Sequence, residues 1–190
     1  AAVKKSLEWL VSYFATAEPR VIDCKGGDEP IHLFTDGACE PNEVTVGAVL
    51  LEGGRRPEAF GELVPDAVVK RWRGQRGWQV VAQAELAPVY VAAAIWASRL
   101  RGKHLIVWLD QNAARQGLVK GYSPSESSSE IIDYALEALA ALGVFPWFTR
   151  VPSEANVADM PSRLQWEKLA AVLPGAVRLN VPEGVWDRMK

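Results

Sequence analysis

The sequence predicts an α/β fold: a mixed five-stranded sheet, three antiparallel strands followed by two parallel ones, with helices on both faces. Three observations predict it. Residues 31–64 hold three short apolar segments whose connections are too brief for a crossover, the mark of an antiparallel meander. A long Ala-rich helical stretch at 80–100 then leads into a continuous apolar run at 104–109, the pattern of a strand buried on both faces. A further helix leads to a fifth strand at 144–151, which Pro146 interrupts and so places at an edge.

Taken in order, residues 3–16 set Val3, Leu7, Leu10, Val11 and Phe14 at helical spacing, and Pro19 ends that packing helix. A polar connector at 23–30 bounds the main domain, giving three parts: an N-terminal helix and connector (1–29), the main domain (30–173) and a C-terminal tail (174–190). The strands are 31–36, ending on Asp36; 44–51, ended by Gly53-Gly54; and 58–64, ended by Pro65. In the helix at 80–100, Leu86, Val89, Ala93 and Trp96 share one stripe, and Pro88 predicts a kink or a late start. Asp110 ends the fourth strand, and a short helix follows at 112–119. Ser127 with Glu130 reads as a capping box for the next helix, which runs through Ile131, Ala135 and Leu139 to a stop at Gly143. Asn156 caps a last helix reaching about residue 173, and the tail, with Trp186, shows no clear pattern.

At 190 residues, 49% hydrophobic, the chain is long enough for one well-buried domain and a modest appendage. A net charge of −2 gives no global field, so any nucleic-acid surface must be local. Two cysteines, Cys24 and Cys39, lack metal-type spacing and point to a reduced, intracellular setting, cytoplasmic or nuclear. No apolar run is long enough to span a bilayer, so no membrane partner is expected. The chain opens on Ala1 and directly on a helical pattern, as a piece of a larger polypeptide would, or one whose tag has been removed.

Asp36 and Asp110 end two strands that, if parallel neighbours, deliver both carboxylates to one sheet edge. Glu85 lies in the first turns of the long helix and Asp159 in the first turn of the last, so each can be aimed there. Four converging acids without matching cations in sequence repel one another and raise their own pKa values. Two divalent cations remove that penalty; a pair about 4 Å apart also activates a water and stabilises a leaving oxygen of a phosphodiester. Oxygen ligands select Mg²⁺, with Mn²⁺ able to substitute.

Four blocks carry a resemblance: Phe34-Thr35-Asp36-Gly37-Ala38-Cys39, Gln83-Ala84-Glu85-Leu86, Leu109-Asp110-Gln111-Asn112-Ala113-Ala114, and residues 151–159 ending on Asp159. In this order they resemble the signature blocks of ribonuclease H over residues 30–173. More narrowly, the closing Asn-x-Ala-Asp-x-x-Ser-Arg pattern at 156–163 is similar to the ribonuclease H domain joined to reverse transcriptases of retroelements, particularly the DIRS-like group. The resemblance implies the ribonuclease H-like fold, a reverse transcriptase domain as partner in the parent chain, and hydrolysis of the RNA strand of an RNA–DNA hybrid to a 3′-hydroxyl and a 5′-phosphate. It implies Asp36 as a ligand shared by both ions, Glu85 and Asp110 on one, and Asp159 on the other. Cellular ribonucleases H carry a histidine in the loop before the last acid; here that loop offers only Glu154 as an ionisable substitute.

Lys70, Arg71, Trp72, Arg73 and Arg76, with Trp78, either meet backbone phosphates and stack on bases or form a solvated loop whose tryptophans lie in the core. Asn112, Arg115 and Lys120 are lesser candidates for backbone contacts. His32 and His104 read as structural, and Cys39 as a small buried filler. Two other functions stand beside hybrid cleavage. One is a non-catalytic scaffold of the same fold in an RNA–protein complex. The other is a DNA-directed nuclease or integrase, against which stand Asp159 where integrase relatives end on Glu, and Ala38 where proofreading exonucleases carry a second acid.

Overall fold

The computed structural model describes residues 2–17, 29–41, 43–74 and 79–190. Strands β1 (Ile31–Cys39), β2 (Val44–Leu51) and β3 (Glu58–Leu63) form the predicted antiparallel meander. β4 (His104–Leu109) and β5 (Phe145–Arg150) continue it in parallel on the other side of β1. The sheet has six strands rather than five, in the order β5-β4-β1-β2-β3-β6. The extra strand, β6 (Val177–Arg178), comes from the tail and runs parallel to β3. Pro146 does lie on an edge strand, where its missing N–H costs no ladder bond.

β1 is longer than expected. It does not stop at Asp36 but runs on through Gly37, Ala38 and Cys39, each paired with β2. Its pairing with β4 reaches only Phe34 opposite Trp108, so beyond that point β1 has a free flank. Carried two residues further, the same register sets Asp36 level with Asp110.

Helices cover both faces. Before α3 come α1 (Ala2–Thr16) and α2 (Asp66–Arg73). Helix α3 (Val81–Ile95) crosses β1 and β2 on one face, with α6 (Glu126–Ala141) against it. On the opposite face sit α7 (Asp159–Ser162) and α8 (Trp166–Val172). α4 (Ala97–Leu100) and α5 (Asn112–Lys120) flank β4 in sequence.

Glycines set how closely the helices approach. A Cβ on Gly37 would stand 2.3 Å from the Ala84 carbonyl carbon of α3, and one on Gly47 would stand 2.2 Å from the Ser162 nitrogen of α7. Gly47 pairs with Gly61 on β3, where a Cβ would meet the Pro161 oxygen at 2.1 Å. Because neighbouring strand residues face opposite sides, these contacts put α3 and α7 on opposite faces.

The long helix breaks elsewhere than predicted. Pro88 lies inside an uninterrupted α3, and the break comes at Trp96, before α4. Pro88 has no N–H to give the Ala84 carbonyl, and that carbonyl lies against Gly37, 2.4 Å from a built Cβ. At the break, the Trp96 indole N–H donates to Glu58 Oε2 at 2.7 Å. Arg99 meets Glu52 Oε2 at 2.6 Å and Glu58 Oε1 at 2.7 Å. The turn at Trp96 is therefore where α4 is tied to the β2–β3 hairpin.

Two further caps differ. Ser125, not Ser127, caps α6 by accepting from the Ser128 N–H; the helix begins at Glu126, so Ser127 already lies in its first turn, where its hydroxyl accepts from Gln83, and Glu130 pairs with Arg71. The last helix is two short ones, separated by Leu164 at φ 57°. Asn156 caps neither; its Oδ1 accepts from the Ala158 N–H and its Nδ2 donates to the Thr35 carbonyl.

The tail belongs to the main core. Val185, Trp186 and Met189 are buried within it, and Trp186 meets Trp72 of α2 edge-on, ring centres 6.5 Å apart. Arg188 pairs with Glu137 at 2.9 Å and lies over the Tyr134 ring. By contrast, Leu7, Leu10, Val11 and Phe14 of α1 are exposed, so the stripe read as a packing face is uncovered among the described residues. No described helix is long and apolar enough to cross a membrane. Replacing Trp186 by Ala empties a core position, so urea unfolding should show a loss of about 3 kcal/mol or more; an appended tail would show almost none.

Candidate active site

Side chains from two strands and a helix converge on one point. Asp36 comes from β1, Asp110 follows β4 directly, and Glu85 is the residue after Ala84, where α3 touches Gly37. One carboxylate oxygen from each of these acids lies within 4.8 Å of the others. Asp36 and Glu85 are 5% and 6% exposed, too little for water to solvate two charges. Glu85 Oε2 and Asp110 Oδ1 are buried and accept no hydrogen bond.

The electrostatics follow from this crowding. Burial pushes the Asp36 carboxyl up to about 6; the Ser162 hydroxyl pulls the other way, and Asp110 and Asp159 add to the rise. Burial, then Asp36 and Asp110, push Glu85 up to about 9 against a hydrogen bond from the Gly37 N–H. Acids so placed want positive charge, and their all-oxygen donor set suits a hard divalent cation such as Mg²⁺ or Mn²⁺. The orphaned oxygens on Glu85 and Asp110 are what such an ion would use.

Asp159 stands outside this group. Its Oδ1 is 2.7 Å from Arg163 Nε, and Arg163 also reaches Glu40 at 3.5 Å. Arg163 is one turn further on, so Asp159 is held by its own segment. Ser162, between them in sequence, is fully buried and donates to Asp36 Oδ2. Glu154 lies in an exposed 3-10 turn, Ser153–Ala155. Cys39 is half-buried, and burial pushes its thiol up, away from a nucleophile's range. His32 accepts from the Trp108 indole at 3.0 Å and His104 stacks on Phe145.

A cleft of about 990 Å³, which none of the acids lines, lies between the end of α2, the start of α3 and residues 123–128 at the head of α6. Arg73 and Arg71 line it, the latter paired with Glu130 at 2.8 Å. Gln83 donates to Ser127 at 2.8 Å, while its own Oε1 is buried without a partner. Trp72 is held on one side by the core. Its ring is buried and packed on Trp186, as the core reading has it, although the residue also contributes to the lining of the cleft. Lys70 is exposed on α2 but does not line the cleft, and Asn112 and Arg115 lie on α5 away from its lining. Arg76, Trp78, Cys24 and Asn42 fall outside the described residues.

Sequence reasoning passed over Ser162, Arg163, Gln83, Ser125 and the paired glycines 47 and 61. Ser162 and Arg163 were inside the quoted closing block, yet only the fold shows what they touch.

A mixed sheet in this order, crossed by helices on both faces and carrying acids on β1, after β4 and on α3, is the ribonuclease H-like architecture. Solved structures agree. Matching chains include RNase H1 from the halophilic archaeon Halobacterium salinarum NRC-1, at TM-score 0.56 and 19% identity over 74% of this chain and 99% of that one. LC11-RNase H1, isolated from compost by a metagenomic approach, matches at TM-score 0.56 and 15% identity over 73% of this chain and 96% of that one. The same protein in complex with an RNA/DNA hybrid matches at TM-score 0.51 and 16% identity, over 73% and 97%. No protein-family model matches the chain, and no curated protein matches it by sequence.

The raised carboxyls give a direct test. Both hold protons in the folded chain that the unfolded chain has already released, so metal-free stability is greatest in acid. It falls as pH rises through about 6 for Asp36 and towards about 9 for Glu85. Thermal unfolding should show a lower Tm at pH 9 than at pH 5 without metal, a smaller drop in Glu85→Gln, and more stabilisation by Mn²⁺ at pH 9 than at pH 5.

Proposed function

We propose that the chain is a divalent-metal-dependent endonuclease that hydrolyses the RNA strand of RNA–DNA hybrids, leaving a 3′-hydroxyl and a 5′-phosphate. The observation that carries this is the buried Asp36–Glu85–Asp110 cluster, with two orphaned oxygens, on a ribonuclease H-like fold. The hybrid as substrate draws support from the LC11-RNase H1 structure, which holds one.

Bound cations would supply an activated water and charge stabilisation for the phosphodiester. The chain's own side chains do the rest. Asp36, Glu85 and Asp110 offer converging oxygens, and their burial limits competition from bulk water. Asp159 is available as a further ligand once its pair with Arg163 opens. Arg73 and the serines at the head of α6 line the cleft, where a nucleic-acid backbone would find positive charge and donors. Recognition by backbone and 2′-hydroxyl suits a near-neutral chain that carries its positive charge locally.

The narrower context belongs to the same proposal: a reverse transcriptase domain as companion in a longer chain, working inside the cell. Its support is the closing block from Asn156 to Arg163 and the scarcity of cysteine. A scaffold without catalysis is the second reading, favoured by the Asp159–Arg163 pair, which holds the fourth acid apart from the other three.

The folded chain with Mg²⁺ or Mn²⁺ should cut a labelled hybrid while sparing duplex DNA and single-stranded RNA. Asp36→Asn and Asp110→Asn should each lower the rate by about a hundredfold or more without unfolding the chain. No cleavage with either metal would favour the scaffold. Arg73→Ala should weaken hybrid binding and reduce its salt slope by about one; an unchanged slope would remove the cleft from the binding surface.

A further inference from the structure

Ser162 has the shape of a residue placed for one purpose. It ends α7, three positions after Asp159, so the two share a helix face. It is fully buried, in a turn that presses on backbone instead of side chains. Its nitrogen occupies the space where a Cβ on Gly47 would be, and Pro161 does the same over Gly61. These glycines are cross-strand partners, and Gly47 is also the partner of Asp36 across β1 and β2. The glycine pair therefore makes a floor at the level of Asp36, and α7 rests on it.

From that seat the Ser162 hydroxyl reaches two acceptors: Asp36 Oδ2, and the Asp159 carbonyl at 3.0 Å. A hydroxyl owns one proton, and an ionised carboxylate takes it in preference to a neutral carbonyl because the bond is charge-assisted. Bound in this way, Asp36 has one oxygen engaged and its rotamer fixed. The other oxygen remains for the cluster with Glu85 and Asp110.

We propose that Ser162 is a positioning residue for the cation: it holds Asp36 by Oδ2 so that Oδ1 is presented as a ligand, and Gly47 and Gly61 admit α7 closely enough for it to do so. This rests on the metal-centre reading above and adds to it how the shared acid is aimed. It also joins the two ends of the constellation. The residue that fixes Asp36 is on the same short helix as Asp159, so the seat of α7 on the glycine floor positions elements carrying both.

The test is Mn²⁺ binding to the full chain by calorimetry, without nucleic acid, for wild type, Ser162→Ala and Ser162→Cys. Cysteine keeps nearly the same volume but is a weak donor, so it stands in if alanine fails to fold. Metal-free Tm is measured alongside. Both variants should bind Mn²⁺ about tenfold or more weakly, the range for loss of a partner that orients a ligand. Folded variants with lowered Tm but wild-type Mn²⁺ affinity would make Ser162 a helix seat only, and would overturn the inference while leaving the metal centre standing. A wild-type chain that binds no Mn²⁺ would overturn the metal centre itself, and this inference with it.

Discussion

The constraint on which this structure depends is the contact of two helix backbones with the sheet at adjacent positions, from opposite faces. α3 touches β1 at Gly37, and α7 touches β2 at Gly47, the partner of Asp36. A single Cβ at either place would overlap main-chain atoms, which cannot swing aside as a side chain can. Glu85 is next to the α3 contact and Ser162 is the α7 contact. Small residues in two strands thus fix the positions of chemistry on two helices. Pro88 fits the same scheme, since the carbonyl it leaves without a helical donor is the one laid against Gly37.

The protein contains two groups of buried or half-buried acids and treats them differently. Glu52 and Glu58, on the β2–β3 hairpin, are met by the Arg99 guanidinium and the Trp96 indole, and the result is a staple. Among the described residues, Asp36, Glu85 and Asp110 form no ion pair with a guanidinium, and the nearby Arg163 is engaged by Asp159 and Glu40. A fold able to neutralise acids with its own cation in one place, and leaving them bare in another, marks the second place as a ligand site.

Much of this was legible in the sequence because it is local. Three strands with short links and an apolar fourth strand fix the sheet, and Asp110 directly after that strand and Asp36 within the first follow from it, although β1 runs three residues past Asp36. What was not legible depends on distant partners. The break at Trp96 follows from Glu52 and Glu58, some forty residues earlier in sequence. The capping box failed because α6 starts two residues earlier, with Ser125 as its cap, a serine that also meets Gln83 of α3. Trp72 sits among basic residues that suggest a binding surface, yet its ring is claimed by Trp186 from the far end of the chain. β6 has only two residues, too few for any periodicity to register.

The tail has a consequence for how the molecule comes into being. β6 completes one edge of the sheet by pairing with β3, and Val185, Trp186 and Met189 complete a core begun by β1. Contacts of that sequence separation close last and slowly. On the ribosome, the meander with its glycine pair and α3 emerge early, but the cover over Trp72 waits until residues near 189 leave the exit tunnel. Until then the nascent chain carries strands with an open edge and an uncovered tryptophan, the condition in which chains associate with one another or with chaperones.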